Sequence, residues 1–176
     1  MSAVFRRTGG FTLLEMLIAL VLLAFGMLSL ARQMGQASRA EVEAFQRAQA
    51  MTLAQEMADR INNNLRQAAL YVGDYVPQHA AEDCRNAPSL VARDACEWRN
   101  RLLGIDTMDG AQAIGAPIAS RGCVVSLAPN VYVITVAWQG IVASEAPDNA
   151  CGQGAFGSDA KRRTFSTVVQ VATLGA

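Results

Sequence analysis

The sequence predicts an α+β protein. A long N-terminal helix, membrane-spanning over its first half, packs on a small, mainly antiparallel sheet head with a short extra helix. Three observations predict it. An apolar run extends to Ala31, about twenty positions broken near the start by one ionisable residue, Glu15, and a run of that length crosses a bilayer core as a helix. Beyond Ala31 no proline occurs until Pro77, and the pattern turns amphipathic. Towards the C-terminus, tracts rich in Val, Ile and Thr read as strands.

Arg6 and Arg7 precede the apolar run and few charges follow it closely, an asymmetry that places the N-terminus in the cytoplasm. A secretory signal carries its cleavage site beyond the apolar stretch. Here the small pair Gly9-Gly10 lies before it, so cleavage there leaves the helix on the mature chain. Gly10-Phe11-Thr12-Leu13-Leu14-Glu15 resembles the class III leader of type IV prepilins and pseudopilins. The resemblance implies the type IV pilin-like fold and a cut between Gly10 and Phe11 by a membrane-embedded prepilin peptidase. It also implies methylation of the new Phe11 amino group.

A carboxylate in hydrocarbon costs several kcal/mol unless it is protonated, snorkels or finds a partner, so Glu15 is a functional candidate on physical grounds alone. Cleavage before Phe11 creates an amine one helical turn away. The pilin resemblance implies that in a stack of such helices Glu15 meets the amine of a neighbour and sets the axial register.

The elements follow in order. Residues 1–10 form the cleaved leader, 11–31 the membrane and filament-core helix, 32–70 its amphipathic continuation, and 71–176 a periplasmic α+β head. Ala50, Leu53, Ala54, Met57, Ala58, Ile61 and Leu65 keep one helical stripe, opposite Arg47, Gln49, Gln55, Glu56, Asp59 and Arg60. Gly26 is a candidate soft spot in the apolar half. Residues 71–85 read as loop. Residues 88–103 read as a short helix: Pro88 suits the first turn, Val91, Ala95, Trp98 and Leu102 share a face, and Gly104 closes it. Residues 104–115 read as loop again.

Residues 122–127 and 131–138 read as strands joined by Pro129-Asn130, the second apolar enough to be covered on both faces. A long loop over 139–163 holds Cys151, Pro147 and four glycines, and residues 164–174 form a last strand. Three strands on an amphipathic helix suffice for a stable sheet. The segments Gln46–Ala50, Leu53–Ile61 and Val133–Gly140 look like those of PilV-type minor pilins. That resemblance implies a minor pilus subunit that primes assembly or caps the fibre tip. Many pilins carry a proline near the position of Arg32; this chain has none.

Composition excludes several classes. There are 15 basic and 15 acidic side chains, and loss of Arg6 and Arg7 with the leader leaves 13 against 15. Nucleic-acid binding, which needs a basic face, is not expected. Lys161-Arg162-Arg163 reads as a solvated turn entering the last strand. Four cysteines allow three disulfide pairings. The sequential one, Cys84–Cys96 and Cys123–Cys151, is favoured because each bridge closes a local loop, worth roughly 3 kcal/mol on the chain-entropy model. No cysteines have short chelating spacing and His79 is the single histidine, so neither metal nor cofactor is expected. No phosphate-binding glycine loop, Gly-x-Ser-x-Gly elbow or second histidine points to an enzyme.

The reading that results is a non-catalytic minor pilin, anchored in the inner membrane with its head in the periplasm and later part of the pilus fibre or tip. The resemblance implies the prepilin peptidase, the major pilin and other minor pilins as partners, the pilins through their N-terminal helices. Twitching motility and adhesion are the implied activities. A minor pseudopilin of type II secretion and a tip adhesin using the 139–163 loop are the alternatives.

Overall fold

One helix, α1, runs unbroken from Leu13 to Asn63, 51 residues including Gly26, in the computed structural model. The structure describes residues 12–105, 107–109 and 112–172. Thr12 opens α1 by accepting from the Glu15 N–H through both Oγ1 (3.3 Å) and its carbonyl (3.1 Å). Thr12-Leu13-Leu14-Glu15 thus has capping-box spacing, with an acid in the first turn where the helix dipole favours it.

The chain divides into two compact units, Met1–Glu41 and Val42–Ala176. In the first, every described side chain from Thr12 to Glu41 is exposed. In the second, α1 buries Ala50, Leu53, Ala54, Met57, Ala58 and Ile61, the stripe expected, together with Gln46. Leu65 packs against that core half-buried. After Asn63 the chain tightens into a 3₁₀ segment, Leu65–Tyr71, and its Ala68 and Tyr71 join the core.

Strand β1 (Gly73–Tyr75) follows, in a stretch expected to be loop. Helix α2 (Leu90–Leu103) begins two residues after Pro88, because Ser89 caps it: Ser89 Oγ accepts from the Ala92 N–H at 3.1 Å. Gly104 ends α2 in the left-handed region, at φ 82°, where a Cβ would stand 2.8 Å from the Ala116 nitrogen. A short antiparallel ribbon of β2 (Met108–Asp109) and β3 (Gln112–Ala113) occupies the second stretch read as loop.

Strands β4 (Arg121–Ala128), β5 (Val131–Gln139) and β6 (Arg162–Gln170) complete an antiparallel sheet of order β1-β4-β5-β6, four strands rather than three. β6 starts earlier and stops earlier than expected, and residues 173–176 lie outside those described. Asn130, at φ 61°, turns the β4–β5 hairpin, and a register irregularity between Ser126 and Ala128 precedes it. From Ile134 to Trp138 β5 is covered on both faces. Tyr132, Ile134, Val136 and Trp138 belong to the main core with α1 and α2, while Ala137 packs with Cys123, Cys151 and Phe156 under the 140–161 loop. Each fully buried large aliphatic or aromatic side chain contributes about 1.5–3 kcal/mol.

Candidate functional site

The N-terminal candidates are held by helix geometry. Glu15 occupies the third position after the Thr12 cap, on a helix whose Leu13, Leu14, Met16, Leu17, Ile18, Leu20, Val21 and Leu22 are all exposed. Nothing within the described chain covers that apolar surface, and α1 is long and apolar enough to cross a membrane. Gly10 and Phe11 lie outside the described residues. Thr12 is the residue that sequence reasoning passed over, although the Thr-x-x-Glu spacing signals it.

In the globular unit, polar contacts fasten α2 to α1. Arg60 Nη1 donates to Asp94 Oδ1 at 2.7 Å and to Glu97 Oε2 at 2.8 Å. Tyr71 donates its hydroxyl to Asp94 Oδ2 and receives the Asn64 amide at 3.2 Å. Burial above all, then the bond to Asp94, pushes the Tyr71 phenol up to about 12. Burial likewise takes Tyr75 to about 12, and its hydroxyl donates to the Tyr71 carbonyl at 2.6 Å. Trp98 Nε1 donates to the Leu53 carbonyl at 2.9 Å, and the indole meets Tyr75 edge-on with centroids 4.9 Å apart.

Disulfides and arginines hold the loops. Cys84–Cys96 ties the 76–88 loop to α2, with Cα atoms 5.6 Å apart. Arg99 grips Glu82 with two bonds, at 2.6 and 2.7 Å, which holds that carboxyl below its usual range. Cys123–Cys151 joins β4 to the 140–161 loop, Cα atoms 5.9 Å apart. The structure therefore brings together the cysteines of the sequential pairing.

The Lys161-Arg162-Arg163 cluster corrects the expectation of a solvated turn. Arg162 is 1 % exposed. Its guanidinium donates to the carbonyls of Pro147 (2.9 Å), Asn149 (2.6 Å) and Cys151 (3.1 Å), and to both oxygens of Asp159 (3.0 and 2.9 Å). Arg163 bonds the Val142 carbonyl and approaches Glu43 at 3.8 Å. Only Lys161 of the three is exposed. The cluster organises the disulfide loop from inside.

His79 lines a shallow groove with Val76, Leu102, Ile118 and Arg121. Among the described residues no group of His, Cys, Asp and Glu is arranged to hold a metal ion.

These features define an α+β protein whose long apolar N-terminal helix is exposed to whatever surrounds it. Residues 5–31 match the family model of the prokaryotic N-terminal methylation motif. The match supports a type IV pilin or pseudopilin, and the fold has the type IV pilin-like plan of long helix, short helix and antiparallel sheet. No curated protein and no solved structure matches the chain.

Proposed function

We propose that the chain is a minor pilin of a type IV pilus, a non-catalytic subunit that helps initiate fibre assembly or forms part of the tip. The observation that carries this reading is the methylation motif over residues 5–31 running directly into an exposed apolar helix with one acid near its start. In this reading prepilin peptidase cuts between Gly10 and Phe11 and methylates Phe11. The helix stays in the inner membrane, N-terminus inward, until it is drawn into the fibre. Glu15, desolvated among neighbouring helices, pairs with the Phe11 amine of an adjacent subunit, because an unpaired carboxylate there costs several kcal/mol.

The globular unit supplies rigid lateral surface rather than chemistry. Of its buried polar side chains, Asp94 fastens α2 to α1 and Arg162 organises the 140–161 loop. Membership of a secretion pseudopilus shares every feature of the N-terminal motif and differs in partners, and a tip adhesin would use the 140–161 loop.

The test is mass spectrometry of the mature protein from sheared pili. A chain beginning with N-methylated Phe11 and present in the pilus fraction is expected. Recovery only with a secretion apparatus moves it to the pseudopilins. A mature terminus beyond Ala31 removes the helix and the whole reading with it.

A further inference from the structure

The outer edge of β6 is unprotected. Near its start the 140–161 loop reaches it through the Asn149 amide, which donates to Thr164 Oγ1 at 2.9 Å. From Phe165 to Gln170 no further strand lies beside it among the described residues. Soluble edge strands are normally blunted by lysine, proline, a bulge or a covering loop, because unpaired N–H and C=O groups recruit another strand. Phe165-Ser166-Thr167-Val168-Val169-Gln170 has no charge and no proline, and its pairing with β5 runs without a register shift.

Both surfaces beside that edge suit an added strand. On the helix side a cleft of about 450 Å³ lies between Phe165 and Thr167 of β6 and Met51, Gln55, Glu56 and Asp59 of α1. On the other side Val168 is 60 % exposed, in register with Val133, which in turn pairs with the exposed Val125. A strand laid along β6 alternates its side chains between an acid-rimmed cleft and a valine ladder.

We propose that the β6 edge, Phe165–Gln170, accepts an extended segment of a different polypeptide by strand addition. The segment carries apolar residues on one face and a lysine or arginine on the other, opposite Asp59. Backbone bonds give such a complex its affinity and the alternate pockets its selectivity. A second copy of β6 meets the backbone requirement but brings no cation to Asp59 from its own residues 165–170. The proposal stands on the sheet edge and does not require the filament reading.

The experiment places a photo-cross-linking side chain at Ser166, and separately at Val168, in the full-length chain in its own cells. Mass spectrometry then locates the attachment sites. Both positions are expected to attach to one segment of one partner, at residues two apart with a lysine or arginine between them. Asp59→Lys is expected to lower both yields about tenfold, the effect of replacing an attractive charge by a repulsive one. Asp59 is exposed and, among the described residues, bonded only to the Gln55 amide one turn away, so the core is untouched.

Yields no higher than from the exposed Arg85 position overturn the proposal. So do attachments to a second copy of this chain, attachments scattered over several segments, or indifference to Asp59→Lys. The N-terminus of the same preparation is sequenced, so failed maturation is read separately from a failed edge.

Discussion

The indole of Trp98 lies against the backbone of Gly122 so closely that a Cβ on Gly122 would stand 2.2 Å from two ring carbons. The same indole donates to Leu53 of α1, so one side chain of α2 joins the long helix to the sheet.

Gly122→Ala is therefore expected to destabilise the globular unit by about 1–3 kcal/mol, since the ring is fully buried and cannot swing aside without opening the core. Urea unfolding of the full chain in detergent, followed by tryptophan fluorescence, measures it. Trp98→Phe relieves the clash but leaves the Leu53 carbonyl short of one donor. The pair Gly122→Ala with Trp98→Phe should lose less than the sum of the two single changes. Strict additivity would mean that Gly122 is constrained by something other than the ring.

Arg162→Gln is expected to cost about 2–4 kcal/mol. A buried guanidinium bridges three loop carbonyls and the Asp159 carboxylate, and a glutamine amide reaches at most two of these acceptors. The change should also expose the Cys123–Cys151 loop, read as faster proteolysis within residues 144–160. Lys161→Gln, next along the chain but exposed, is the control and should be within about 0.5 kcal/mol of the parent. Equal effects from both would restore the solvated-turn reading.

Where a pattern repeats, the sequence carries the fold; where one distant contact decides, it does not. The stripe from Ala50 to Ile61 and the apolar tract of β5 repeat often enough to be read directly, and the core uses both. Gly73–Tyr75 is three residues long with no period of its own, and becomes a strand because Gly122–Val124 pairs with it. Arg162 follows Lys161 like any surface charge. Its burial comes from carbonyls 11 to 15 residues away converging on it. Glu15 is legible for a different reason: one acid stands out in an apolar run, whereas its cap Thr12 needs the spacing to be noticed.

The two perturbed tyrosines make the fold sensitive to alkali. The Tyr71 and Tyr75 phenols sit at about 12, above an ordinary value near 10, chiefly because burial disfavours the phenolate. A group whose pKa is raised by folding contributes stability that is complete below the unfolded value and is lost as pH climbs through the folded one. Stability should therefore hold to about pH 10 and fall between about 10 and 12. The Tyr71→Phe variant should show a shallower fall over that window, with the phenolate absorbance near 295 nm tracking the loss. An unchanged slope would mean that other groups govern the alkaline limb.

Two separable roles are open to Glu15, and Glu15→Gln distinguishes them from each other. As the third residue after the Thr12 cap it supports the start of α1, and glutamine fills that position nearly as well as glutamate. In the proposed pairing with a neighbouring Phe11 amine it would act through charge, which glutamine lacks. If the role is local capping, Glu15→Gln assembles normally and only Glu15→Ala is impaired, by the few tenths to about 1 kcal/mol typical of a helix terminus. If the role is charge pairing among packed helices, both variants are processed at the leader yet drop together out of the sheared fibre, by about tenfold or more for a loss of at least 1.4 kcal/mol. The pairing reading predicts the second outcome. Immunoblots of sheared and membrane fractions, normalised to processed protein, decide between them.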